Sequence, residues 1–96
     1  SEIFDIGPRS GGYPCLRYDG WGAAVVCYTV SGTEVRFARR IGPNNWSIEV
    51  VDPGPKNGGQ TSMAIDPRSG IPAISFGYLS FVKFAQRDPN VPYPQP

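Results

Sequence analysis

Residues 2–12, EIFDIGPRSGG, return 47 positions later as residues 49–59, EVVDPGPKNGG. All but one of the aligned positions are identical or similar. A fixed period of this length indicates a repeat architecture in which each repeat is one supersecondary unit. The chain therefore holds two copies of one unit, and the same alignment continues along it: 15–19 on 62–66, and 35–39 on 82–86.

Each unit contains four strand-like stretches bounded by turn residues. In the first unit we predict strands at 14–18, 23–29, 33–39 and 46–51. Successive side chains of a strand point to opposite faces, and one face is bulky in both units while the other is mostly small. The bulky positions are Leu16, Tyr18, Ala24, Val26 and Tyr28, matched by Met63, Ile65, Pro72, Ile74 and Phe76.

The composition favours strands and turns over helices. Glycine (12 residues) and proline (11 residues) make up about a quarter of the 96-residue chain, roughly twice their average usage. With 40% hydrophobic and 12% aromatic residues, the chain is too apolar for intrinsic disorder. The sequence therefore predicts a folded, all-β protein.

Several functional classes are disfavoured by the same composition. A net charge of +1 gives no basic field for nucleic acid. The longest apolar run, at 23–28, is far shorter than the roughly 18 residues of a membrane span. The chain has no histidine, the commonest general base and a frequent metal ligand. We expect no enzyme, no metal and no cofactor.

The unit resembles a known repeat. A four-stranded unit of this length, apolar on both faces, is what a β-propeller blade requires. The stretch SMAIDPRSGIPAISF (62–76), with VKFA (82–85) and, in the other copy, WSIEVVD (46–52), resembles a repeat of bacterial and archaeal β-propeller proteins. The resemblance extends to Arg87. It implies the fold and no particular activity, since propellers host many unrelated functions.

The order of the strands along the chain is circularly permuted. We place the first blade at 13–51, and a stretch at 2–5 matches the last strand of that blade. The second blade, at 60–87, is followed by a Pro-rich tail at 88–96, where prolines remove ladder donors. The unit at 1–87 thus holds the strands of two blades with the last strand displaced to the front.

Two blades cannot close a ring, and alone they leave apolar faces and a strand edge in water. The simplest solution is a cyclic homo-oligomer in which residues 3–5 of one subunit complete the second blade of its neighbour. Three chains give six blades, which we favour, and four chains give eight. The alternative is that these residues are a fragment of a longer propeller.

The two cysteines are predicted to face each other. The first hairpin aligns Cys15 opposite Cys27, and the second aligns Ser62 opposite Ser75. Directly opposed positions bring side chains close enough for a disulfide. A disulfide and a pair of small buried thiols are equal alternatives for this pair.

Four aspartates recur at equivalent places. Asp19 and Asp66 open the hairpin turns, and Asp5 and Asp52 follow the last strand of a unit. A carboxylate before a Gly-containing turn usually caps its own backbone. We therefore interpret these aspartates as structural.

Loop residues supply the candidates for ligand binding. Exposed aromatic rings beside charged or amide groups suit sugar recognition, and Trp21 is predicted at a hairpin tip. The loops between blades, 7–13 and 54–60, add glycine N–H donors and a cation at the same place. The candidate residues are Arg9, Tyr13, Trp21, Glu34, Lys56, Gln60 and Tyr78.

The subunit plan is similar to that of bacterial and fungal fucose-binding lectins, whose two-blade chains trimerise into six-bladed propellers. Only the plan matches, so no site residue is transferred. We expect a non-enzymatic, lectin-like module, extracellular or on a cell or virion surface, whose partners are its own copies and glycans. The alternative is a structural or protein-docking module of a larger surface, filament or phage assembly, with other protein subunits as partners.

Overall fold

The computed structural model describes residues 1–5, 12–30, 34–54, 60–78, 81–88 and 90–95, without the side chains of Tyr13, Tyr78 and Phe81. Within these residues the fold is all-β and consists of two antiparallel sheets. The described ranges contain no helix that is long and apolar enough to cross a membrane.

The first sheet contains the four strands predicted for the first unit. They are β1 (Gly12–Tyr18), β2 (Ala24–Val30), β3 (Glu34–Gly42) and β4 (Asn45–Asp52), in the order β1-β2-β3-β4. Each strand pairs with the next along the chain, so the sheet is a simple meander. The turn before β4 places Asn44 at φ 54°, a left-handed conformation that asparagine tolerates.

The second sheet has three strands in the part of the chain that the structure describes. They are β5 (Thr61–Ile65), β6 (Pro72–Tyr78) and β7 (Phe81–Gln86), in the order β5-β6-β7. β7 corresponds to β3 of the first sheet, and no described strand takes the place of β4 beside it. The prediction of a second unit without its last strand agrees with this topology.

Residues 1–5 form no strand in the single chain, which differs from the strand predicted at 2–5. They lie instead across the first sheet, where Phe4 packs against Tyr28 and Trp46. The physical reason is that a strand needs a ladder partner, and in the single chain the packing of Phe4 and the ion pairs of Glu2 and Asp5 hold this segment instead.

The faces of both sheets follow the predicted alternation. In the first sheet Leu16 pairs with Val26, and in the second sheet Met63 pairs with Ile74, so the bulky residues share one face in each. The opposite, smaller face of the first sheet carries Cys27, which pairs with both Cys15 and Phe37.

The two sheets pack face to face around one core. The small face of the first sheet contributes Val25, Cys27, Val35 and Phe37, and the bulky face of the second contributes Met63, Ile74 and Phe76. We call these two surfaces the inner faces. The opposite surfaces are the outer faces: on the first sheet Leu16, Tyr18, Val26, Tyr28, Ile48 and Val50, and on the second Ser62, Ala64, Ser75, Val82 and Phe84.

The sheets meet at their first strands. β5 lies against β1 and β2, and the β1–β2 and β5–β6 hairpin tips touch, with the Gly20 amide donating to the Gly70 carbonyl at 2.9 Å. Farther out, Tyr93 of the Pro-rich tail packs against the core between the sheets. The tail is therefore part of the folded unit rather than only an extension of it.

Candidate functional site

A cavity of about 200 Å³ lies between the two sheets, on the side of β4 and β7. Its apolar wall comes from the core, and its polar lining comes from β4, the end of β7 and the residues that follow β7. The apolar lining includes Phe37, Val51, Ile74, Ala85 and Tyr93, and the polar lining is Glu49, Gln86, Arg87 and Asp88.

Arg87 organises the polar side of this cavity. Its guanidinium donates to the Glu49 carboxylate of the other sheet and, at 3.0 Å, to the carbonyl of Pro92. It also lies over the ring of Tyr93, 5.5 Å from the ring centre. The cavity therefore offers a paired carboxylate and guanidinium and an aromatic ring within one small space.

A buried ion pair between Asp19 and Arg39 adjoins the cavity through Tyr93. The guanidinium Nε lies 2.6 Å from the Asp19 carboxylate, and both side chains are fully buried. The same carboxylate accepts the Trp21 and Ala23 amides at 2.9 and 3.0 Å, and the Tyr93 hydroxyl also donates to it. Asp19 thus joins its own hairpin turn, β3 and the tail.

The electrostatics of this cluster keep Asp19 ionised. Burial opposes ionisation, but the donors on Arg39 and Tyr93 and the two amides outweigh it and hold the pKa of Asp19 below its ordinary value. Burial and the bond to Asp19 raise the pKa of Tyr93. The guanidinium of Arg39 also lies over the Tyr93 ring, 4.7 Å from the ring centre. Among the buried side-chain nitrogen and oxygen atoms of the described residues, Nη2 of Arg39 is the one without a hydrogen-bond partner.

The N-terminal segment makes a second set of polar contacts, on the outer face of the first sheet. The Glu2 carboxylate accepts two bonds from Arg40, at 2.8 and 3.0 Å, and one from the Trp46 indole at 2.8 Å. These donors, with Arg40 the largest influence, lower the pKa of Glu2 to about 2.

Asp5 fixes the other end of this segment. Its carboxylate accepts from Arg36 and from the Tyr28 hydroxyl, each at 2.7 Å. Burial and the bond to Asp5 raise the pKa of Tyr28. Arg36 also donates to Glu34, and these two acceptors raise its pKa.

These contacts repeat those between β4 and the second sheet. Asp52 forms an ion pair with Lys83 at 3.0 Å, and Asp5 forms one with Arg36. Asp52 lies 47 residues after Asp5, and Lys83 lies 47 residues after Arg36. The ion pair of Glu49 with Arg87 repeats that of Glu2 with Arg40 at the same offset. Residues 2–5 therefore lie on the first sheet as β4 lies on the second.

The candidate ligand residues are not gathered in one place. Trp21 is half exposed at the β1–β2 hairpin tip, beside Tyr93, whereas Glu34 pairs with Val30 at the far end of β2. At roughly 3.3 Å per residue, these two positions are about 20 Å apart. Gln60 is exposed before β5, at the end of the second sheet opposite its hairpin.

The other candidates are only partly described. Tyr13 lies in β1 and Tyr78 ends β6, but their side chains are outside the described set. Arg9 and Lys56 lie outside the described residues. The role of all these residues in ligand binding stays a prediction.

The pairing of the cysteines is confirmed: Cys15 is opposite Cys27, as Ser62 is opposite Ser75. Both cysteines are free thiols in the structure. Burial raises the pKa of Cys27 to about 11. Disulfide formation under oxidising conditions stays a prediction.

The turn role of Asp19, Asp52 and Asp66 is confirmed, but it is incomplete, and the residues that follow Asp5 lie outside the described ones. Asp66 accepts the Arg68 amide at 2.9 Å and Asp52 accepts the Gly54 amide at 2.9 Å, as expected for residues that cap their own turns. The ion pairs of Asp19 with Arg39 and of Asp5 with Arg36 were not predicted. One signal was available, because Arg39 continues the alternation of Val35 and Phe37 onto the inner face, and a charge there needs a partner.

Within the described ranges, no three histidine, cysteine, aspartate or glutamate side chains lie close enough to hold a metal ion. Comparison with protein-family models, curated proteins and solved structures found no match to this chain.

Proposed function

We propose that this chain is a non-enzymatic, lectin-like module that binds carbohydrate. It acts as a cyclic homo-oligomeric β-propeller, for which we favour three copies. The cavity between its sheets is the proposed ligand site. Its assembly into a ring makes the sites multivalent, so that weak individual binding becomes strong attachment to a surface that carries many ligands.

The observation that carries the assembly is the placement of residues 2–5. Glu2 and Asp5 hold Arg40 and Arg36 in the same way as Glu49 and Asp52 hold Arg87 and Lys83. The segment thus occupies the position of a last strand in a blade that the single chain does not contain. The second sheet of another copy, which lacks this strand in the described residues, is the blade that fits there.

The chemistry of the cavity supports a hydroxyl-rich ligand. Sugars present an apolar ring face together with several hydroxyl groups, and they are bound by aromatic and aliphatic surfaces with a few directed polar groups. The lining of the cavity combines the aromatic residues Phe37 and Tyr93 with the charged residues Glu49 and Arg87. At about 200 Å³, it is smaller than the pockets of roughly 300–1,000 Å³ that hold drug-sized ligands, which favours a single sugar ring.

Binding is tested by thermal shift with a panel of monosaccharides at millimolar concentration, followed by a glycan array. A sugar that binds the folded chain raises the midpoint of thermal unfolding, and the rise increases with the sugar concentration. Two polar residues provide the pair of variants. Glu49→Gln removes a carboxylate from the cavity and should abolish the shift, while Gln60→Ala, at the end of the second sheet opposite its hairpin, should preserve it.

Absence of any shift or array signal would overturn the carbohydrate proposal. Loss of binding in Gln60→Ala with retention in Glu49→Gln would overturn the cavity as the site and move it to the start of β5. Both outcomes can be read without reference to the oligomeric state, because the cavity lies within one chain.

A further inference from the structure

We infer that the outer faces of the two sheets dock on each other between copies, head to tail: the outer face of the second sheet of one copy receives the outer face of the first sheet of the next. The inference rests on the proposed ring and assigns its interface. A second copy of this chain covers each exposed face. The contact between copies has the same form as the contact between the two sheets within one chain.

The first observation is a difference in burial at equivalent positions of the small face. On the first sheet Val35 and Phe37 are 0% and 4% exposed, because the second sheet covers them. Their equivalents on the second sheet, Val82 and Phe84, are 82% and 69% exposed. The repeat thus places the same kind of apolar side chain at both positions, and only one of them is covered within the chain.

The bulky face shows the reverse difference. Met63 of the second sheet is 3% exposed in the core, whereas its equivalent on the first sheet, Leu16, is 51% exposed. Tyr18 and Val50 on the same outer face are 65% and 51% exposed. On the first sheet, the bulky face is therefore uncovered around Leu16, Tyr18 and Val50, beside Tyr28, which Phe4 covers. On the second sheet, the small face is uncovered around Val82 and Phe84.

These two exposed faces match the two faces that already pack together inside the chain. Leu16 stands where Met63 stands, and Phe84 where Phe37 stands, so a second copy can repeat the internal contact without a new kind of surface. Because the two faces differ, the contact is heterologous: a chain uses one face to bind the copy before it and the other to bind the copy after it. A two-fold dimer would instead bring like faces together.

The N-terminal segment adds an edge contact to this face contact. It lies on the outer face of the first sheet, fixed by Arg36 and Arg40, beside the place that an incoming second sheet would take. β7, at the edge of that sheet in the described residues, can then pair with residues 2–5. Ile3, which is 80% exposed in the single chain, becomes covered in this arrangement.

The test uses two variants that each disable one face. Leu16→Arg places a charge on the outer face of the first sheet, and Phe84→Arg places one on the outer face of the second. Native mass spectrometry and analytical ultracentrifugation of the wild type should give a closed multiple of the chain mass, and each variant alone should be a monomer. Asn90→Arg, in an exposed turn, is the control that should keep the wild-type mass.

The decisive sample is an equimolar mixture of the two variants. Each retains the face that the other has lost, so a head-to-tail contact yields one species with one chain of each variant and no larger complex. A mixture that stays monomeric, a single variant that forms dimers, or a monomeric wild type would each overturn the inference.

Folding of the variants is checked by circular dichroism. The pair Tyr18→Arg and Val82→Arg repeats the test at other exposed positions of the two faces. Sugar binding serves as an independent measurement. A monomeric Leu16→Arg that still binds sugar separates the interface from the ligand site, and a ring that binds no sugar overturns the carbohydrate proposal while leaving the interface intact.

Discussion

The guanidinium of Arg39 and the carboxylate of Asp19 form an ion pair in which both side chains are fully buried, with Nε 2.6 Å from Oδ2. The pair connects β3 to the β1–β2 turn, and the hydroxyl of Tyr93 connects the tail to the same carboxylate. The equivalent positions in the second unit are Gln86 and Asp66, so this ion pair is a feature of the first unit.

Removal of the Asp19 carboxylate should strongly destabilise the fold. Asp19→Ala leaves the buried charge of Arg39 without its partner, a change that costs about 3–5 kcal/mol. Asp66→Ala is the matched control, because its nearest cation, Arg68, is 93% exposed and 3.8 Å away; we expect about 1 kcal/mol for that variant. Urea denaturation of both variants measures the difference, and equal losses would contradict the role assigned to the pair.

Stability should fall in acid, with Asp19 as one cause. The pKa of Asp19 is lowered in the folded chain from its ordinary value of 3.8, so the unfolded chain takes up the proton at higher pH than the folded chain does. The stabilisation from the ionised carboxylate is therefore complete above about pH 5 and is lost as the pH falls through the folded pKa.

The measurement is the thermal midpoint between pH 2 and pH 7. The thermal midpoint of Asp19→Asn should be lower than that of the wild type at neutral pH, and it should fall less between pH 7 and pH 2. Glu2, whose pKa is lowered to about 2, also stabilises the fold less as the pH falls. The thermal midpoint of the double variant Asp19→Asn with Glu2→Gln should therefore depend on pH less than that of Asp19→Asn alone. An Asp19→Asn profile parallel to that of the wild type would show that the carboxylate does not contribute.

A methyl group at Gly20 should separate the two hairpin tips. A Cβ at this position would lie 2.5 Å from the Cα of Gly70, and the backbone at Gly70 cannot move away without loss of the 2.9 Å bond between the tips. We expect Gly20→Ala to lower the free energy of unfolding by about 1–3 kcal/mol. Gly42→Ala, whose Cβ would meet only Asn45 at 3.7 Å, should stay close to the wild type in the same denaturation experiment.

The two thiols should differ in reactivity. Cys27 is fully buried and its pKa is raised to about 11, so at pH 8 it holds little of the thiolate that reacts with alkylating agents. Brief iodoacetamide treatment of the folded, reduced chain, followed by peptide mass mapping, should leave Cys27 unlabelled until denaturant is added. Rapid labelling of Cys27 in the folded chain would contradict the burial of this thiol.

Local patterns predicted the strands, faces and turns because these depend on neighbouring residues. The position of Cys15 opposite Cys27 follows from the centre of one hairpin, and the turn role of Asp66 follows from the residues that come directly after it. The repeat doubled this information, since each unit supplied a second example of the same strand and turn.

The long-range contacts were not predicted, for a physical reason. Tyr93 reaches Asp19 from the other end of the chain, and nothing in the residues around either one specifies that approach. The placement of residues 2–5 is a similar case: the repeat predicted a strand there, but a strand requires a pairing partner, and within one chain the ion pairs of Glu2 and Asp5 determine where the segment lies.

The contact of β5 with β1 and β2, together with the cavity on the side of β4 and β7, gives the pair of sheets the shape of a wedge that is narrow at the first strands. When wedges are placed side by side around an axis, their angle determines how many complete a full turn. In the proposed ring, the side chains that hold β4 and β7 apart would therefore set the copy number.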